Sequence, residues 1–221
     1  MGLVRLLVIS ATLCSLAAAQ EFIATTSSSG GGSIPSLKVR GARLFPTKHD
    51  QVLLRTNGYI PLGAESFLVG ESKHAATIMA LVEAPQLGDV VVFRRGDRKH
   101  VVSPNGEEIS RMPSHITFRV TASSIMQITD KPEKLDCKAR MDDFLANLDF
   151  VARVFHPGDL SAEEVRPLSV RIVGIPAEIA AAERVYRAEF DFGPLSVSDH
   201  IVLEVNDPDG SPVTKFFLQL K

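Results

Sequence analysis

Residues 144–155 read FLANLDFVARVF, and from Phe144 to Val154 an apolar side chain occupies every second position. Polar residues, among them Asn147, Asp149 and Arg153, fall between them. Successive side chains of a β-strand point to opposite faces, so this period of two puts all the apolar side chains on one face. The stretch is therefore predicted to form one long, half-buried strand.

The same period of two recurs before and after this stretch. It is found in residues 37–45, 51–56, 77–82, 90–94, 100–103, 116–122, 168–172, 186–192, 201–205 and 213–220. Gly, Pro, Asn and Asp separate these runs, which predicts an all-β protein with a β-sandwich architecture. One candidate helix, residues 176–184, begins at Pro176 and has an Ala-rich middle.

A charged stretch that contains a proline, DKPEKLD at residues 130–136, interrupts the alternating runs. It is the predicted boundary between an N-terminal β domain, residues 37–130, and a C-terminal β-sandwich, residues 138–221. Each segment has the length of one small sandwich, so two sandwiches in tandem are predicted. A single sandwich over residues 37–221 is the alternative.

The C-terminal segment carries a recognisable pattern. Residues 190–195 read FDFGPL, residues 199–205 read DHIVLEV, and an Asp209-Gly210 turn precedes FFLQL at residues 216–220. This alternation around a turn resembles the last strands of immunoglobulin-like modules, which are common accessory domains of bacterial exported proteins. The resemblance implies an immunoglobulin-like fold and a role in adhesion, spacing or assembly. It implies no catalytic residue.

The N-terminus has the features of a secretory signal. A positive charge at Arg5 precedes fourteen uncharged residues that end in three alanines before Gln20, which suits signal peptidase. We therefore expect a signal peptide, residues 1–19, a flexible Ser/Gly tether, residues 20–36, and export to the periplasm or the extracellular space. An uncleaved membrane anchor is the alternative, but the uncharged run is shorter than the roughly 20 apolar residues of a spanning helix.

Composition narrows the classes of partner. Without Arg5, 23 basic residues stand against 26 acidic ones, a net charge of −3, whereas nucleic-acid binding requires a markedly basic face. The mature chain would hold one cysteine, Cys137, and so no internal disulfide. No two histidines are three or four residues apart, so no metal site and no cofactor is predicted. The sequence leaves the oligomeric state open.

Basic residues cluster in FRRGDRKH, residues 93–100. Arg94, Arg95, Arg98 and Lys99 are candidate ligand-binding residues, because clustered cations attract anions. The alternative is a solvated hairpin tip, since Gly-Asp also suits a turn.

Together these features predict an exported, non-enzymatic module for binding, adhesion or envelope assembly. Its partner would be another envelope or extracellular protein, and an edge strand could bind a strand of that partner. The alternative is a hydrolase-like extracytoplasmic enzyme with a site assembled from scattered residues. Its members would come from His49, Asp50, Cys137 or His156. No catalytic motif supports it, so no catalytic residue is predicted.

The signal prediction can be checked by mass spectrometry of the exported protein. We expect a mass that corresponds to residues 20–221, because cleavage should follow Ala19. Recovery of a chain that still carries Met1 from a membrane fraction would contradict this expectation.

Overall fold

A computed structural model of the chain describes residues 42–69, 74–125, 132–174 and 181–221. The predicted signal peptide, residues 1–19, and the predicted tether, residues 20–36, lie outside the described residues. Within the described part of the chain, no helix has the length and apolar character needed to cross a membrane.

The described residues form fourteen strands, one α-helix and one short 3-10 helix at Pro85–Leu87. In chain order, the strands and the α-helix are β1 (Gln51–Arg55), β2 (Tyr59–Val69), β3 (His74–Glu83), β4 (Val91–Arg95), β5 (Arg98–Val102), β6 (Arg111–Met112), β7 (His115–Ile125), α1 (Pro132–Ala146), β8 (Asp149–Phe155), β9 (Glu163–Val165), β10 (Ser169–Gly174), β11 (Ala181–Asp191), β12 (Leu195–Ser196), β13 (His200–Asn206) and β14 (Pro212–Leu218). The prediction of an all-β protein is confirmed.

Two antiparallel sheets build the sandwich. The five-stranded sheet has the order β10-β11-β7-β3-β2, and the four-stranded sheet has the order β14-β13-β8-β9. Their inward-facing apolar side chains form one buried cluster. Phe118 packs edge-on against Phe190 at 5.5 Å within the first sheet, and Phe150 of the second sheet lies 5.1 Å from Tyr186 of the first. Burying each such side chain contributes about 1.5–3 kcal/mol, and this shared core is what the alternating pattern predicted.

The segment predicted as one long strand, residues 144–155, divides into two elements. Residues up to Ala146 end helix α1, and only Asp149–Phe155 form a strand. Met141, Leu145 and Leu148 are all buried, and their spacing of four and then three follows the helical period. The prediction is wrong for residues 144–148, because Phe144, Ala146 and Leu148 satisfy a period of two by coincidence.

Helix α1 packs on β11 and β7 of the five-stranded sheet. The Tyr186 hydroxyl donates a hydrogen bond to the carbonyl of Leu145, and the ring of Phe144 lies 6.2 Å from that of Phe67 on β2. The helix therefore covers part of the sheet with its own apolar side chains.

The two predicted domains share a single sheet. Strand β7, from the first segment, pairs with β11, from the second, through eleven residues between Ala181↔Ile125 and Asp191↔His115. All described residues belong to one compact unit. The prediction of two tandem sandwiches divided at residues 130–137 is therefore wrong, and the single-sandwich alternative describes the chain. The charged stretch is not a linker between domains, because its residues from Pro132 onward form the start of α1.

The prediction of a helix at residues 176–184 is also wrong for those of its residues that the structure describes. Residues 175–180 lie outside the described part, but residues 181–184 begin β11 and pair with β7. Pairing along the whole of β7 overrides the helical propensity of the alanines.

Two small sheets complete the fold, with the orders β1-β4-β5 and β12-β6. The first buries Phe93, whose ring stacks on that of His100 at 5.3 Å. The second pairs Leu195 with Met112 and again joins the two predicted domains.

The shared sheet predicts the behaviour of the C-terminal segment in isolation. A fragment of residues 138–221 should show no cooperative thermal transition, because β11 loses its pairing with β7 and α1 loses its first residues. Circular dichroism of the fragment, with the whole chain as the control, measures this. A cooperative melt of the fragment would restore the two-domain hypothesis.

Candidate functional site

Arg95, one of the four predicted ligand-binding residues, is held within the protein. Its guanidinium donates hydrogen bonds of 2.7–3.2 Å to the Asp50 carboxylate and one of 2.9 Å to the Phe45 carbonyl. Hydrogen bonds from Arg95, and then from the Thr47 amide, keep the pKa of Asp50 far below its ordinary value. Arg95 therefore anchors the segment before β1 and is not a free cation.

The other three predicted cations lie on the β4–β5 hairpin. Arg94 lies directly opposite Lys99, and Arg98 lies opposite Arg95. Within the described part of the chain, Arg94, Arg98 and Lys99 form no side-chain hydrogen bond or ion pair. Like charges in opposed positions repel each other, and an anion would relieve that repulsion. Anion binding at this hairpin stays a prediction.

The residues of the alternative enzyme site have separate surroundings. The Asp50 carboxylate accepts hydrogen bonds from Arg95 of the β4–β5 hairpin, and the ring of His49 has no partner among the described residues. His156 Nδ1 lies 3.1 Å from Oδ1 of the buried Asp199. Cys137 lies on α1, and its side chain is outside the described part. No described contact brings any two of the four predicted residues together.

A different serine, histidine and aspartate do meet, beside a cleft of about 760 Å³. Ser114 Oγ lies 3.1 Å from His115 Nδ1, and His115 Nε2 lies 3.4 Å from Asp191 Oδ2. However, the His115 side chain is 66% exposed, and the electrostatic activation of a nucleophile depends on excluding water. These contacts fit surface hydrogen bonding at the start of β7 better than a catalytic centre.

Among the described strands, β10 is an outermost strand of the five-stranded sheet, with one edge unpaired. Four apolar side chains on or beside it are exposed: Leu168 by 68%, Val170 by 41%, Ile172 by 45% and Val173 by 49%. Val170 and Ile172 lie opposite Ala188 and Tyr186, which are buried in the core. The two side chains thus point to the core side of the sheet but remain partly exposed.

A groove of about 650 Å³ crosses the outer face of the four-stranded sheet. We call it the outer groove, and its main lining residues are Val151, Arg153, Phe155, Glu164, Arg166, Val202, Glu204, Asn206, Lys215 and Phe217. All four strands contribute to it or flank it. Its shape depends on the register of β13, which is regular with β8 and shifts between Val205 and Asn206 in the pairing with β14.

Glu204 is the centre of the outer groove. Its Oε1 accepts a 2.7 Å hydrogen bond from Lys215 Nζ, and its Oε2 accepts a 3.0 Å bond from Arg153 Nε. The bond from Lys215 and then that from Arg153 lower the pKa of Glu204 against the opposing effect of burial. The carboxylate is therefore ionised and fully engaged.

The ion pairs continue across the sheet. Arg153 also reaches Glu164 at 3.3 Å, Glu164 reaches Arg166 at 3.3 Å, and Arg166 reaches Asp149 at 3.0 Å. With Glu204 and Lys215, this chain of contacts joins three cations to three carboxylates and has no net charge.

The two ends of the outer groove differ in character. At one end, the ring of His200 lies 6.0 Å from Phe155 and 5.8 Å from Phe217, edge-on to both. At the other end lies Asn206, which is only 8% exposed. Its side chain has no hydrogen-bond partner among the described residues.

Sequence reasoning treated this face of the sheet as the ordinary polar side of two strands. One signal could have indicated the groove. Val151 and Val202 occupy outward positions where alternation favours polar residues, and both are buried. An apolar residue at an outward position indicates that long neighbouring side chains cover it.

No group of three metal-ligating side chains occurs within the described ranges. The chain matches no protein-family profile, and no curated protein or solved structure is significantly similar to it. The immunoglobulin-like resemblance therefore stays a prediction, and the functional argument depends on geometry.

The engagement of Glu204 predicts a pH-dependent stability. Glu204→Gln should lower the free energy of unfolding by about 1–2 kcal/mol at neutral pH, because Arg153 and Lys215 lose their shared carboxylate. A folded-state pKa below the unfolded one stabilises the protein above the ordinary glutamate pKa, and this stabilisation is lost as the pH falls through the folded value. The difference between the two proteins should therefore close in acid.

Urea unfolding over a series of pH values measures this difference. Glu107→Gln, at an exposed residue whose side chain has no described partner, is the matched control and should change little. A difference for Glu204→Gln that is constant with pH would contradict the assignment.

Proposed function

We propose that the chain is an exported binding module that takes up an extended segment of another envelope or extracellular protein at the edge of β10. Export is proposed on the basis of the signal peptide predicted at residues 1–19. The observation that supports binding at this edge is a row of four exposed apolar side chains, Leu168, Val170, Ile172 and Val173.

An exposed apolar edge strand is unusual in a soluble protein. Unpaired main-chain groups and apolar side chains favour the addition of another strand, and most proteins protect such edges with charges, prolines or bulges. The single charge of β10, Arg171, lies 3.9 Å from Glu189. The bulge of β10 falls between Ile172 and Gly174, so residues 169–172 keep a regular register.

The other three edges of the two large sheets are less open. Strand β2 contacts β14 at the far side of the sandwich and contains Pro61 and Glu65. Strand β9 has three residues, two of them glutamates, and β14 begins with Pro212. Of the four edges of the two large sheets, β10 therefore suits a partner strand best.

A partner strand would complete the sandwich at this edge. Val170 and Ile172 face the core side of the sheet beside buried neighbours on β11. An added strand would form main-chain hydrogen bonds with β10 and could place apolar side chains beside these two. This is the mode known as strand addition, in which the main chain contributes affinity and alternate side chains contribute specificity.

The proposal predicts a crosslink that depends on the edge. A photoreactive amino acid at Leu168 should capture a discrete protein in the exporting cell, and Ile172→Lys should reduce that product about tenfold by placing a charge in the interface. Met79→Lys is the matched control, because Met79 is 48% exposed on another strand of the same sheet. Equal crosslinking in both variants would contradict strand addition at β10.

A further inference from the structure

The outer groove contains a buried side-chain amide that has no hydrogen-bond partner in the described part of the chain. Five polar residues of the described chain are buried, and four of them have side-chain hydrogen bonds: Thr56, Ser124, Asp199 and Glu204. Asn206 is the fifth and has none among the described residues. A buried polar group without a hydrogen bond is costly and is found at functional sites.

The position of Asn206 makes this amide available to a ligand. It follows Glu204 by two residues on β13, so both side chains belong to the outward face, and both residues line the groove. An asparagine side chain both donates and accepts hydrogen bonds. It can therefore pair with the N–H and the C=O of a peptide main chain.

The charges of the groove indicate an uncharged ligand. The cations Arg153, Arg166 and Lys215 are bound to carboxylates of the same network, which leaves no net charge. A charged ligand would have to break these pairs, whereas an uncharged one would not.

The opposite end of the groove favours an apolar side chain. Phe217 is 58% exposed and packs edge-on against His200, which also packs against Phe155. An apolar or aromatic side chain laid on this cluster would remove its rings from water.

We propose that the outer groove binds an uncharged, extended peptide segment. Asn206 would pair with one of its main-chain amides, and the cluster of Phe155, His200 and Phe217 would hold an apolar side chain. Asn206 and His200 are six residues apart on β13, a distance of roughly 20 Å in a strand. A segment that reaches both ends therefore needs about six residues. This site lies on the four-stranded sheet and does not depend on strand addition at β10.

Nuclear magnetic resonance titration of the whole protein tests the proposal. The probes are two blocked, uncharged hexapeptides of serine and threonine with one phenylalanine, at the first or the last position. We expect at least one peptide to shift the side-chain amide signal of Asn206 and the signals of Phe217 at millimolar concentration. The same peptide without phenylalanine should bind more weakly.

Two variants and their matched controls separate binding from folding. Asn206→Ala and Phe217→Ser should each weaken peptide binding about tenfold, while Asn105→Ala and Phe45→Ser, at exposed residues elsewhere, should not. Because the Asn206 side chain loses no hydrogen bond to any described residue, Asn206→Ala should leave the melting temperature unchanged or raise it. A marked loss of stability would instead show a structural role and overturn the proposal.

Two further outcomes would overturn it: neither hexapeptide shifts the groove signals, or Asn206→Ala and Phe217→Ser bind as tightly as the parent protein. Ile172→Lys should bind the peptides normally, so failure of the groove and failure of the β10 edge can be told apart.

Discussion

The antiparallel pairing of β7 with β11 is the contact on which the rest of the structure depends. It runs through eleven residues from each strand and joins the part of the chain before α1 to the part after it. Because β11 lies between β7 and β10, the pairing also makes β10 the outermost strand. The inward faces of β7 and β11 bring Phe118, Tyr186 and Phe190 into the shared core.

The pairing also explains why the two candidate surfaces differ in chemistry. The five-stranded sheet has one strand more than the four-stranded sheet, and the inward side chains of β10, Val170 and Ile172, remain partly exposed. The outer face of the four-stranded sheet is crossed by side chains bound to one another around Glu204. One surface is therefore an apolar edge with unpaired main chain. The other is a neutral groove with an aromatic end and an amide end.

The strands were predictable, because a period of two survives wherever one face is buried and the other meets water. Residues 116–122 and 201–205 illustrate this, and both lie in strands. The single sandwich was not predictable from the sequence. The pairing between β7 and β11 joins distant segments and gives no local sequence pattern in either of them. The helix was missed because Phe144, Ala146 and Leu148 fit a period of two. The helical spacing is carried by the buried residues Met141, Leu145 and Leu148.

The candidate binding surfaces were also predictable only in part, because they depend on contacts between distant residues. The sequence shows the cluster at residues 94–99 as a run of charges. It does not show the ion pair between Arg95 and Asp50, which are 45 positions apart. The outer groove depends on pairs such as Arg153 with Glu204, which are 51 positions apart. Such contacts arise only from the register of the sheet, so a single sequence does not indicate them.

The central claim is that β10 is an open edge that a partner strand closes. Hydrogen–deuterium exchange of the main-chain amides, in the free protein and in the complex identified by crosslinking, tests it most directly. The account predicts that amides of residues 169–172 not bonded to β11 exchange quickly in the free protein and become protected in the complex, while those of β7 are protected in both. Protection of residues 169–172 already in the free protein, or no gain of protection in the complex, would contradict it.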